Sequence, residues 1–251
     1  MPKPDFTFRL HPEKNIDHFT ACDGTLKFFG FVKAIMLKIK APHVLDFGAG
    51  RGAWWHDDPS TYRKHMCNLR MGGNAFVTAC DIDATVLTHP CSDKQIVIEP
   101  NERLPFADGT FDAIVSDMTF EHIENPELVC RELIRILKPG GYICARTPHR
   151  WGYVRLMSRL NPDRMHVFLL RHIQPYRSSE DIFRTRYQLN SPAQIRRRFP
   201  GCTLYYYYDN AEPAYYFGSE VLYRAFALLH RLTPGFLATS LCVFIGKPCA
   251  E

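Results

Sequence analysis

The chain has 251 residues, is 46% hydrophobic and carries a formal charge of +5. That is enough apolar material for a substantial core, and a modest charge that hints at anionic partners without implying nucleic acid. Nine cysteines are scattered with no C-x-x-C pair and no His/Cys cluster at zinc-ligand spacing, which argues against a disulfide framework and a structural metal and fits a reducing cytoplasm.

Residues 1–20 mix Pro, His, Asp and Phe without a period and read as an irregular arm. Met1–Asp5 lacks the basic-then-apolar profile of a signal peptide, and no window of about 18 uncharged apolar residues exists, so a soluble cytoplasmic protein without a transmembrane segment is expected. From Thr25 to Lys40, Leu26, Phe28, Phe29, Val32, Ile35, Met36 and Ile39 fall at helical spacing, and Pro42 ends the helix. His43–Phe47 then reads as a buried strand breaking into the turn Gly48-Ala49-Gly50-Arg51-Gly52. Alternate glycines leave a backbone bare of Cβ atoms, against which a ligand can lie and accept hydrogen bonds from free amides. Alone this turn is weak evidence, because Gly48, Gly50 and Ala53 also satisfy the dinucleotide pattern G-x-G-x-x-A.

Ser60 suits the N-cap of a helix to about Arg70, and Gly72-Gly73-Asn74 closes it. Ala75–Cys80 is a second strand ending at Asp81. A right-handed crossover places Asp81 beside the glycine turn, where a carboxylate can bind both hydroxyls of a ribose; the plainer role is an N-cap for Ala84–Thr88. Gln95–Glu99 and Phe111–Ser116 form the third and fourth strands. A helix from Pro126 to about Leu137 stops at Lys138-Pro139-Gly140-Gly141, and Tyr142–Arg146 is the fifth strand. This alternation predicts a mostly parallel sheet covered on both faces. From Thr147 to about Asn190 the period is lost and arginines alternate with aromatic residues. A helix from Ser191 to Phe199, a strand over Gly201–Asp209, a helix over Ser219–Leu232 and a strand over Thr239–Gly246 complete the chain.

Taken together, Asp46-Phe47-Gly48-Ala49-Gly50-Arg51-Gly52, Cys80-Asp81-Ile82-Asp83, the stretch Leu104–Asp112, Glu121-His122-Ile123 and Leu137-Lys138-Pro139-Gly140-Gly141 resemble, in order and spacing, the motifs of class I S-adenosylmethionine-dependent methyltransferases. The resemblance covers about residues 41–147. It implies a Rossmann-like, doubly wound α/β fold with a seven-stranded sheet whose last strand is antiparallel. The expected organisation is a single domain: an arm and helix over 1–40, a cofactor-binding core over 41–147, a substrate-cover insertion over 148–190, and the rest of the sheet over 191–251.

The implied cofactor, S-adenosylmethionine, carries an aminocarboxylate, a ribose diol and an adenine. The resemblance assigns its binding to Asp46, Gly48, Gly50, Gly52, Asp81, Ile82, Asn101, Glu102, Leu104 and Ser116. Where many relatives carry an Asp against the adenine, this chain has Pro100-Asn101-Glu102; Asn101 can accept the same hydrogen bond or serve as an ordinary turn residue. Methyl transfer from a sulfonium is a direct displacement that needs alignment more than a catalytic group. For a hydroxyl acceptor His122 is the candidate base, its alternative role being to anchor the following helix. A metal is not expected, since the position where metal-using relatives carry a further carboxylate is Met118. His149 and Arg150, nearest the fifth strand, are the candidates for acceptor contact, while the other arginines of the insertion read as solvated surface.

Three function classes follow: a methyltransferase acting on a small-molecule, glycan-like or lipid-linked acceptor, an NAD(P)-dependent oxidoreductase, and a non-catalytic module that keeps the cofactor fold for binding. The basic insertion leaves open an anionic acceptor or peripheral contact with a membrane; no nucleic-acid partner is expected.

Overall fold

Short apolar runs separated by helices become one sheet because each strand can bury both faces only when helices lie above and below it. The computed structural model describes residues 5–71, 74–153, 185–213 and 216–249. Its seven strands are β1 (His43–Phe47), β2 (Phe76–Asp81), β3 (Lys94–Val97), β4 (Phe111–Asp117), β5 (Leu137–Pro148), β6 (Thr203–Asp209) and β7 (Ser240–Gly246). They lie in the order β3-β2-β1-β4-β5-β7-β6. The β1, β2, β3, β4 and β5 pairings are parallel, and β7 runs antiparallel between β5 and β6, as expected for the last strand.

Alternation along the strands splits the core in two. Leu45, Phe47, Ile114 and Ile143 pack on one face with Leu133 and Ile136 of the helix Pro126–Ile136 and Ile195 of the helix Pro192–Arg198. Val44, Val77, Val115 and Cys144 pack on the other with Phe28, Phe29, Val32 and Met36 of the helix Gly24–Met36. Helix starts follow the capping signals: Ser60, Asn125, Ser191 and Ser219 each accept a hydrogen bond from the backbone amide three residues on.

Several boundaries differ from expectation. The first 20 residues are not wholly irregular, since Thr7–Leu10 and Lys14–Asp17 are short helices. The helix expected to reach Lys40 ends at Met36, with Leu37 as its C-cap, and Ala41 before Pro42 adopts φ of 50°. β3 occupies Lys94–Val97, and Ile98 leaves it to donate to the Asp81 carbonyl at 2.9 Å. Lys138–Gly141 is an irregular start of β5, with a register shift against Phe111 and Ala113. A Cβ at Gly141 would lie 2.7 Å from the Asp112 carbonyl oxygen, so glycine is required there for close backbone approach. Most of the expected insertion lies outside the described residues. Its two ends meet where Arg150 N donates to Asn190 O at 2.8 Å.

The N-terminal segment is fastened to the domain by Arg63, which donates to Asp58 at 2.5 Å through Nε, to Asp23 through Nη1 and to the His18 carbonyl at 3.1 Å. Arg63→Met would leave Asp23 and Asp58, both largely buried, without their cation. Denaturant unfolding should show a loss of about 2–3 kcal/mol, below the full scale for a buried pair because the site is partly solvated.

Candidate active site

Parallel alignment brings the carboxyl ends of β1, β2 and β4 to one edge of the sheet, where the chain leaves each strand and a crevice opens. A cleft of about 510 Å³ lies there. Its floor is the glycine turn after β1, with Gly48 at φ 78° and Gly50 at φ 52°. A Cβ on Gly50 would meet nothing within 4 Å and would project into open space. A Cβ on Gly48 would fall 2.3 Å from Thr119 Oγ1 and Cγ2 after β4. Two glycines of one turn thus have different reasons to be glycine: one adjoins open space, the other adjoins a neighbouring strand's loop.

Asp81 closes the turn from β2. Its Oδ2 accepts from Gly50 N at 2.8 Å and its Oδ1 from Asp83 N at 3.0 Å. The N-cap of the 3-10 turn Ala84–Thr88 is Asp83, which accepts from Thr85 N, so that plainer role belongs to Asp83. Beyond Asp81 the wall consists of Ile82, Ile98, Glu99, Asn101 at φ 62°, Glu102 and Leu104. The opposite wall holds Met118, Thr119, His122, Glu124 and Val129. Acidic groups dominate: Asp81, Glu99, Glu102, Glu124 and Glu132 line the cleft, while the one arginine lining it among the described residues, Arg51, is paired with Asp57 at 2.7 Å.

Of the expected site residues, Gly48, Gly50, Asp81, Ile82, Asn101, Glu102, Leu104 and His122 line this cleft together. Five expected positions do not. Asp46 sits behind the turn, where burial first and then the carboxylates of Asp117 and Asp81 push its pKa up to about 7. His89 Nε2 is 3.9 Å from it, but burial holds that histidine down at about 4, so it offers no cation near neutrality. Gly52 caps the short helix Ala53–Asp57 at φ 67°, with His89 and Pro90 where a Cβ would go. Ser116 is fully buried within β4, and its hydroxyl has no hydrogen-bond partner among the described residues. His149 is buried with its ring 4.9 Å from Tyr208, and its amide donates to Thr239 O; burial lowers its pKa. Arg150 lies over the Trp151 ring at 5.6 Å. Ser116 and His149 lie away from the cleft lining for one cause: inward-facing strand and strand-end positions are taken up by the core.

Sequence reasoning missed Met118, Thr119, Glu99 and Val129, whose only signal is the strand order that sets the β4 exit beside the β1 exit. It also missed the network behind His122. Glu121 is buried and accepts from Thr147 Oγ1 at 3.0 Å, and Thr147 in turn accepts from Asn190 Nδ2 at 2.7 Å. Glu121 O accepts from Tyr187 N at 3.1 Å, and its Oε1 lies 3.8 Å from His122 Nε2. The strand exit, the end of β5 and residues 185–190 are therefore one hydrogen-bonded unit. A second cavity, of about 590 Å³, lies near the start of β5 between Phe31, Tyr142, Tyr205 and Phe244, away from the glycine turn. No group of three or more potential metal ligands occurs among the described residues.

Comparison with known proteins agrees with this geometry. Residues 45–145 match the family model described as a methyltransferase domain. The demethylmenaquinone methyltransferase of Streptomyces griseus is 33% identical over 100 residues, 35% of this chain and 43% of that protein. The malonyl-[acyl-carrier protein] O-methyltransferase of Erwinia pyrifoliae is 33% identical over 110 residues, 43% of this chain and 37% of that protein. The matched stretch thus spans less than half the length of these curated relatives. Among solved structures, a chain from the complex between the Haloferax volcanii Trm112 methyltransferase activator and a methyltransferase superposes with a TM-score of 0.55 at 18% identity. That superposition covers 88% of this chain and 91% of that one, and shows the shared fold.

The raised pKa of Asp46 makes stability pH-dependent. An unshifted aspartate loses its proton near 3.8, whereas folded Asp46 holds it to about 7, so its contribution is complete at low pH and disappears as pH rises between those values. Asp46→Asn should flatten stability across that window and exceed the parent at pH 7.5 by a few kcal/mol at most, since each tenfold change in proton affinity corresponds to about 1.4 kcal/mol. Urea midpoints at pH 4.5 and 7.5 measure it. In the same assay Gly48→Ala should unfold well before Gly50→Ala, since only the first drives a Cβ into Thr119.

Proposed function

We propose that this chain, whose residues 45–145 match the methyltransferase-domain family model, is a class I S-adenosylmethionine-dependent methyltransferase that binds that cofactor in the cleft and transfers its methyl group to a small-molecule or lipid-linked acceptor. The observation that carries this reading is the sign of the cleft. Of the five carboxylates lining it, Glu124 and Glu132 are paired with Arg186 and Arg135, and Asp81, Glu99 and Glu102 have no arginine partner among the described residues. The lining arginine, Arg51, is paired with Asp57, so the excess charge is negative, which suits a ligand bearing a sulfonium and an ammonium and opposes a pyrophosphate. The oxidoreductase alternative is set aside on that ground.

The residues fit the parts of the cofactor. Asp81 uses one lone pair on each oxygen for the backbone and keeps others for a ribose diol, while Leu104 and Ile98 offer an apolar slot for adenine, with Asn101 and Glu102 as polar contacts. The bare backbone of Gly48 and Gly50 allows close approach of the aminocarboxylate end. The cofactor supplies an electrophilic methyl group on a positively charged sulfur. With the cofactor held there, the acceptor's lone pair would form the new bond to that methyl carbon as the carbon–sulfur bond broke, its electron pair left on a neutral sulfur. If the acceptor is a hydroxyl, its proton leaves to His122, which lines the cleft and is backed by the buried Glu121. The curated relatives named above bear names for two different acceptors, a demethylmenaquinone and a malonyl-[acyl-carrier protein]. Neither acceptor transfers to this chain by name.

Titration calorimetry tests the reading. S-adenosylmethionine and its demethylated product should bind and NAD should not; the reverse order overturns the proposal. Asp81→Ala should weaken cofactor binding by about 1.5–3 kcal/mol, the scale for hydrogen bonds to a charged group. With a hydroxyl acceptor, His122→Asn should lower kcat by about 10²–10⁴ while leaving cofactor affinity unchanged; an unaltered kcat would reduce His122 to an anchor for the following helix.

A further inference from the structure

The connection between β6 and β7 contains the helix Glu220–Leu232, and this helix is built the wrong way round for a domain surface. An ordinary surface helix turns its apolar stripe to the core and its polar residues to water. Here Tyr223, Phe226, Ala227 and His230 face the body. Tyr223 Oη pairs with His11 Nε2 at 2.7 Å and Glu212 at 3.1 Å, Phe226 stacks on Tyr153, and His230 pairs with Tyr153 Oη and the Ala211 carbonyl at 2.7 Å each. Val221, Leu222, Ala225, Leu228, Leu229 and Leu232 recur at helical spacing on the opposite side, and all are exposed. Val221 is 76% exposed, Leu228 57% and Leu232 71%, and the next turn adds Phe236 at 61%.

Charge flanks this stripe on one side. At about 100° per residue, Arg224 and Arg231 fall on the same flank, with Glu220 as the helix's only acidic residue. Glu220 is paired with both Arg9 and Arg224, which leaves an excess of cations along the rim. Trp151, exposed and stacked under Arg150, lies at the same end of the sheet: a Cβ on the adjoining Gly152 would sit 2.9 Å from the Ala238 carbonyl oxygen. The position of the patch follows from topology. Asp209 at the end of β6 and Ser240 at the start of β7 are register partners, and Ser240 also pairs with Pro148 at the end of β5. The helix therefore belongs to the edge of the sheet on which the cleft opens.

We propose that the exposed face of the helix Glu220–Leu232, with Phe236 and Trp151, docks on an anionic lipid surface. A continuous apolar stripe with arginines on its flank and an aromatic residue at its border is the arrangement by which a helix lies in the interface of a bilayer, apolar side inserted and cations among the headgroups. Charge complementarity selects an acidic membrane over a second copy of the chain, because two such faces would bring their arginines together. The inference concerns a surface and is independent of how the cleft is read.

The test is co-sedimentation of the full chain with vesicles of phosphatidylglycerol and phosphatidylcholine, beside vesicles of phosphatidylcholine alone. The chain should bind the acidic vesicles, should bind them less at high salt, and should shift its tryptophan emission to the blue. Leu228→Glu combined with Leu232→Glu should reduce vesicle binding at least tenfold with unfolding temperature unchanged, whereas Leu37→Glu, exposed beside the start of β1, should bind as the parent does. Absence of binding by the parent chain overturns the proposal, as does binding that the double substitution leaves intact. Sedimentation equilibrium covers the rival occupant: a dimer that the double substitution splits would assign the face to a second copy and refute the lipid surface. Cofactor calorimetry on the same samples keeps failure of this proposal distinct from failure of the proposed activity.

Discussion

Three parallel strands deliver three carboxylates to one edge of the sheet, and much of the site is a consequence of accommodating them. Asp46 of β1 is in register with Ala79 of β2 and Val115 of β4, so neither Asp81 nor Asp117, two residues further on, can be far from it. Each is stabilised differently. Asp117 is held in a two-pronged ion pair with Arg146, with Nε and Nη2 each 2.7 Å from its oxygens. Burial opposes the charge on that guanidinium, but Asp117 more than offsets this and raises its pKa. Asp81 is stabilised by backbone amides. Asp46 has neither, and the proton is its remedy near neutrality. The glycine turn is the other side of the same arrangement, since only a residue without a Cβ at Gly48 lets the turn pass Thr119 on its way to the Gly50 amide that donates to the Asp81 carboxylate.

Much of this was legible in the sequence for a definite reason. β1 appears at its expected residues because an apolar run ending at Pro42 on one side and glycine on the other has no alternative pairing of length and period. Caps at Ser60, Asn125, Ser191 and Ser219 are local chemistry, readable from the chain without knowledge of the fold. The positions that lie away from the cleft, Ser116 and His149, depend on what lies across space. Ser116 looks like a strand-end polar residue, but β4 continues to Asp117 and turns the serine inward between β1 and β5. His149 follows the fifth strand, but β7 and residues 238–239 close over it. Thr119 and Met118 carry no mark in the sequence because their importance comes from lying opposite the exit of another strand.

The unit formed by Glu121, Thr147 and Asn190 shows how the fold connects the exit of β4 to the part of the chain that follows β5. A buried carboxylate without partners would be costly, and here one threonine hydroxyl donates to it while accepting from an asparagine 43 residues away in sequence. The segment after the 154–184 stretch is thereby fixed to the strand exit that carries His122.

The electrostatics of the cleft bear on turnover as well as on binding. On the proposed reading, a cleft with an excess of carboxylates would attract a cofactor with two positive centres more strongly than a product with one, because loss of the methyl group neutralises the sulfur. That difference in charge would favour exchange of spent for fresh cofactor. It also explains why the carboxylates are not all compensated by arginines: Arg146 and Arg135 pair the ones that anchor strands and helices, at Asp117 and Glu132, whereas Asp81, Glu99 and Glu102 carry no arginine partner among the described residues. Pairing these as well would make the sheet edge more stable and the cleft indifferent to the charge that distinguishes substrate from product.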